Sequence, residues 1–132
     1  MSTKATGNFK IESWEEQPYL ETEDGGKLTR AKVEQTFRGE IDGHGEVEWL
    51  MCYQPDNTAD FVGLQRIVGR VGDRSGSIVL ESRGTFDGNH AKGLLRVVPG
   101  SGTGELNGIS GEGELNAPLG SQPSVTLTYG FD

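Results

Sequence analysis

Apolar and polar residues alternate with a period of two along most of the chain, and helical spacing is nearly absent. That pattern predicts half-buried β-strands. Phe9 and Ile11 alternate with Asn8, Lys10 and Glu12, which places a first strand within Lys4–Ser13. The sharpest pattern is Leu28–Ile41. Ala31, Val33, Gln35, Phe37, Gly39 and Ile41 share one face, and Arg30, Lys32, Glu34, Thr36, Arg38 and Glu40 the other. Further strands are expected at Gly45–Gln54, Phe61–Val71, Ser77–Phe86, Ala91–Val98 and Val125–Phe131, with short ones around Gly104–Leu106 and Glu112–Leu115. Turn-forming clusters separate them: Asp42-Gly43, Pro55-Asp56-Asn57, Asp73–Gly76 and Asp87-Gly88-Asn89. Trp14–Lys27, which contains Pro18 and Asp24-Gly25-Gly26, reads as a connection.

Eight or nine strands with short connections favour antiparallel neighbours within one domain over residues 1–132. Closing such a sheet removes its edges, so a closed β-barrel is expected, with a two-sheet sandwich as the alternative. Phe37, Trp49, Tyr53, Phe61 and Tyr129 then fill the interior. The same parity turns Gln35, Gln65 and Ser82 inward with them. Buried polar groups need partners. Either they form an internal network with a few waters, or they are the convergent polar groups of an otherwise apolar ligand site. On the second reading Gln35, Gln65, Ser82, Tyr53 and Tyr129 orient a small hydrophobic ligand, and Trp49, Met51 and Phe61 form its wall.

The opposite face of the middle strands is not cleanly polar. Leu50, Val62, Leu64, Val79 and Leu94 fall there with Arg66 and other charged residues. An uncovered apolar patch of that kind predicts a homo-oligomer, dimer or trimer, joined through the strands between Gly45 and Val98. Otherwise the C-terminal segment or the Trp14–Lys27 connection covers it.

Composition narrows the partners. A formal charge of −8 argues against nucleic-acid binding. The single cysteine, Cys52, allows no intrachain disulfide. The first residues lack an apolar signal core, and no apolar run reaches the ~18 residues of a membrane span, so a cytoplasmic protein is expected. His44 and His90 sit beside turns without ligand spacing, so neither metal nor cofactor is expected. Val97–Leu115 is crowded with glycine, yet it is no phosphate loop. After Gly102 and Gly104 the third glycine position of GxGxxG holds Asn107, and no GxxxxGK[ST] occurs. It reads as a bend between strands.

The segments FVGLQRIVGRVGDRSGSIVLESRGTFDG, VVPGSGTGELNGISGEGEL and TLTYGFD resemble a bacterial family of unknown function, the domain of unknown function 3224 family. The likeness runs from TGNFKIESW to the last residues. GTGELNG, through Gly102, Thr103, Gly104, Leu106 and Gly108, also resembles the glycine-rich signature of allene oxide cyclases and plant dirigent proteins. The resemblance implies an all-β, eight-stranded antiparallel barrel of calycin-like form and often trimeric assembly. It also implies cofactor-free steering of small hydrophobic molecules inside the barrel. Two functions are therefore expected as rivals: a small-molecule-binding barrel or cofactor-free isomerase or cyclase, and a non-enzymatic homo-oligomeric interaction protein.

Overall fold

The structure is a computed structural model that describes residues 2–131. These residues form nine strands and no helix: β1 Thr3–Glu21, β2 Lys27–Gly39, β3 Ile41–Tyr53, β4 Ala59–Val71, β5 Arg74–Phe86, β6 His90–Val97, β7 Thr103–Gly104, β8 Ile109–Pro118 and β9 Ser124–Phe131. Every pairing is antiparallel, and β1 pairs with both β2 and β9. Eight strands therefore close into a barrel, and the two-residue β7 lies along the start of β5. The wall is strongly sheared. The ladder from Glu16 runs through Ala31, Trp49, Gly63, Ser82, Leu95, Gly113 and Leu127, and returns to β1 at Ala5 instead of Glu16. Such a stagger is what tilts the strands of a closed barrel.

The alternating pattern sets the core. Phe37, Ile41, Ile67, Ile78, Leu80, Leu127 and Val125 are almost completely buried inside. Large inward side chains lie against glycines of the neighbouring strand. Trp49 faces Gly63 and Phe61 faces Gly84, and a Cβ on Gly63 would stand 2.3 Å from Trp49 Cδ1. Alternation of large and absent side chains fits bulky rings into a narrow barrel.

The sequence-based boundaries need correcting in three places. Trp14–Lys27 is not a connection: β1 continues to Glu21 and pairs with β2 as far as Glu21↔Lys27. The Phe9 N–H still donates to Pro123 O (3.0 Å), and beyond it the other edge of β1 has no partner strand among the described residues. A free edge accommodates Pro18, which lacks an N–H, and the many carboxylates. Asp42-Gly43 is not a turn: both lie in β3, Gly43 opposite Gly69, and a Cβ there would stand 2.2 Å from Val68 O. The turn falls instead at Gly39, whose φ of 119° favours glycine. The β4–β5 turn falls at Gly72-Asp73, so Arg74–Gly76 belong to β5.

The glycine-rich stretch crosses one end of the barrel. β7 pairs with Gly76 and Ser77, and the Glu105 backbone N–H donates to Ser75 O (2.9 Å). This binding drives Leu106 into the core as a plug. The turns at the opposite end, residues 22–26, 54–58, 87–89 and 119–123, send no buried apolar side chain inward. No helix among the described residues is long and apolar enough to cross a membrane.

Candidate functional site

The unplugged end collects the most varied chemistry of the interior. β1 reaches it with a changed parity. A register shift between Ile11 and Ser13 leaves Glu12 as an extra residue, so Phe9 faces inward before the bulge and Trp14 and Glu16 after it. Trp14 stays 42% exposed and stacks at a tilt on Trp49, 5.8 Å between centroids, while Trp49 meets Phe61 edge-on at 5.7 Å. Trp49 Nε1 donates to Ser82 Oγ (3.0 Å), which satisfies both buried groups.

Glu16 sits at the rim of this aromatic wall. The Thr29 hydroxyl donates to Glu16 Oε2 (2.6 Å), and Trp14 Nε1 donates to Oε1 (3.0 Å). Burial disfavours the carboxylate. Hydrogen bonds from Thr29, Tyr53 and Trp14 and the charge of Lys27 outweigh it and hold the group below its ordinary range. Tyr53 is the counterpart. Burial, then the neighbouring Glu16 carboxylate, pushes its phenol up to about 12. Its Oη lies 3.7 Å from Met51 Sδ, and Lys27 Nζ sits 5.1 Å from the ring centroid. At neutral pH the rim thus holds an ionised carboxylate beside a neutral phenol.

Of the residues expected inside, the structure gathers Trp49, Met51, Tyr53, Phe61 and Ser82 at this end. Gln35 and Gln65 lie deeper, near mid-barrel. Gln65 Nε2 donates to Gln35 Oε1, and Gln35 Nε2 has no partner among the described residues. Tyr129 is not part of the group: it lies at the plugged end beside Gly72, edge-on to Phe131 at 6.0 Å. Trp14, Glu16 and Thr29 were missed. Thr29 was legible, since it shares the inward parity of Ala31 and Val33, whereas the bulge that turns Trp14 and Glu16 inward left no mark in the alternation.

Around the rest of the wall, the expected outward residues Leu50, Val62, Leu64 and Leu94 are exposed, and so is Val68. Val79 is half-buried and Arg66 exposed. Neither segment that could have covered them does so. Residues 14–21 are barrel wall, and the C-terminal strand is β9. His44 and His90 stay apart, the first 3.7 Å from Glu46 and the second bonded to Asn116. No group of three His, Cys, Asp or Glu side chains among the described residues could hold a metal.

These features define a closed antiparallel barrel, plugged at one end and polar-aromatic at the other. The chain belongs to the DUF3224 family, described as proteins of unknown function, whose sequence pattern matches residues 5–129. It is similar to the crystal structure of a protein of unknown function of that family from Shewanella oneidensis MR-1, with 28% identity and a TM-score of 0.85. The likeness covers 100% of this chain and 99% of that one. No curated protein matches the chain.

Proposed function

We propose that the barrel binds a small, mainly apolar molecule at its unplugged end. The apolar body lies against Trp14, Trp49, Met51 and Phe61, and a hydrogen-bond donor or positive group reaches Glu16. One observation carries this reading: an ionised carboxylate is held in place at the inner rim of an aromatic wall, by donors that leave part of its capacity free. A carboxylate offers about four acceptor positions; Thr29 and Trp14 occupy one on each oxygen, and the Tyr53 hydroxyl is a third donor beside them. Few convergent polar groups on an apolar wall are the usual form of a small-molecule site. Gln35, Gln65 and Ser82 belong to the same reading as its floor. The orphan Gln35 Nε2 is a donor that a ligand carbonyl or a buried water satisfies. A cofactor-free isomerisation or cyclisation, as in the allene oxide cyclase-like barrels, is the catalytic form. The wall holds a flexible substrate in a reactive shape, and Glu16 and Tyr53 meet the charge that develops.

The test uses the two tryptophans as reporters. Octylamine, octanol and octanoate are titrated against the purified protein and tryptophan fluorescence is followed. The amine is expected to bind most tightly, and Glu16→Gln to remove its advantage over the alcohol. Equal responses to all three probes, or none, would sink the reading.

A further inference from the structure

The mouth at the unplugged end is strongly acidic. The four turns around it, residues 22–26, 54–58, 87–89 and 119–123, carry Glu23, Asp24, Asp56 and Asp87 and no Lys or Arg. Together with Glu16 on the inner rim they draw cations to this end. The cation already there belongs to the chain itself. Lys27 and Tyr53 stand directly opposite each other on β2 and β3. Lys27 shares the parity of the buried Thr29 and Ala31 and leans across the mouth, with Nζ 5.1 Å from the Tyr53 ring centroid. Its charge acts on Glu16. Yet no carboxylate lies within ion-pair distance of it among the described residues.

The chemistry of the mouth suits a cation that has no N–H to offer. Glu16 already accepts from Thr29 and Trp14, with the Tyr53 hydroxyl a third donor. That leaves about one of the four acceptor positions of a carboxylate. The wall beside it, Trp14, Trp49, Met51 and Phe61, carries no side-chain oxygen. A primary ammonium has three donors, and entering there strips water from those that find no acceptor. Lys27 escapes that cost because it stays exposed. A quaternary ammonium carries the charge without donors, and its methyl groups rest on aromatic faces. Trp14, 42% exposed, and the half-buried Tyr53 supply rings whose polar edges both meet Glu16.

We infer that the mouth takes a quaternary ammonium group, seated between Glu16 and the rings of Trp14 and Tyr53 in place of the Lys27 ammonium. It is the head of a free small molecule whose alkyl part lies on Trp49, Met51 and Phe61. A choline lipid is disfavoured, because its phosphate would face the carboxylates of the turns. This inference rests on the ligand reading above and narrows it from any donor or positive group to charge without hydrogen-bond donation.

Isothermal titration calorimetry at low ionic strength tests it, with octyltrimethylammonium, octylamine and octanol as probes. Octyltrimethylammonium is expected to bind at least as tightly as octylamine and about tenfold more tightly than octanol. Lys27→Met, which keeps the stem and removes the competing charge, is expected to tighten it about threefold or more. Trp14→Leu keeps an apolar side chain without the ring, and is expected to weaken octyltrimethylammonium more than octanol. Phosphatidylcholine vesicles are expected not to sediment the protein. If octylamine binds more tightly than octanol but octyltrimethylammonium does not, this inference is overturned and the ligand reading stands. Equal binding of all three probes, or of none, removes both. An affinity unmoved by Lys27→Met, equal losses for the two probes in Trp14→Leu, or cosedimentation with vesicles also overturns it.

Discussion

Gly63 has no room for a methyl group. A Cβ there would meet Trp49 Cδ1 at 2.3 Å and Glu48 O at 2.5 Å. The second contact is backbone and cannot swing away. Gly63→Ala is therefore expected to lower stability by about 1–3 kcal/mol, the range for overpacking a tight core, as a reduced urea midpoint at unchanged slope. Ser82 is the complementary case, since the clash is absent and a partner is lost. Ser82→Ala leaves the buried Trp49 Nε1 without an acceptor, at a cost of about 1–3 kcal/mol. Ser82→Thr, which keeps an oxygen, should recover part of it. If Ser82→Ala unfolds at the wild-type midpoint, the indole bond adds nothing to stability.

At the scale of the element, β1 decides the chemistry of the rim. Its bulge at Glu12 brings Trp14 and Glu16 inward, and the consequences are readable in pH. Tyr53 is held neutral in the fold, with its pKa raised from 10.0 to about 12. A raised folded pKa means that its contribution is complete below pH 10 and is lost as pH climbs through 12. Absorbance of tyrosinate at 295 nm should therefore show one tyrosine titrating near pH 12. Glu16→Gln, which removes the neighbouring charge, should bring that step down toward 10. An unmoved step would mean that burial alone raises it. Glu16 has the opposite sign. Its folded pKa is depressed below 4.5, so its contribution is present above the unfolded value and disappears as pH falls through the folded one. Thr29→Val removes a donor to the carboxylate, and should flatten the loss of stability on acidification below pH 4.5.

At the scale of the whole molecule, the outside of the closed barrel exposes Leu50, Val62, Leu64, Val68 and Leu94 on its middle strands. A homo-oligomer joined there, as an uncovered apolar patch predicts, would couple folding to assembly, because a partner binds only the folded face. The wild-type melting temperature should then rise with protein concentration between 1 and 100 µM, and that of Leu94→Glu should not. Equal concentration independence in both chains would separate stability from self-association.

Alternation alone determined the all-β class and the inward set Gln35, Trp49, Met51, Tyr53, Phe61, Gln65 and Ser82, because side-chain parity in a strand is a local property; it left barrel and sandwich both open, and the pairing of β1 with β2 and β9 decided for the barrel. Alternation also determined which residues face out. It misplaced the β2–β3 turn, since Asp42-Gly43 has turn chemistry while Gly43 serves a close approach to Val68 O across β3 and β4. It missed Trp14 and Glu16, since their stretch holds a proline and several carboxylates, and a one-residue bulge reverses parity without altering composition. Tertiary structure alone decided which inward residues share an end. Strand order and shear bring Glu16 of β1 level with Trp49 of β3 and Ser82 of β5, and set Tyr129 at the far end beside Gly72. Local pattern records the face a residue occupies; only the closed, staggered wall records its height along the barrel.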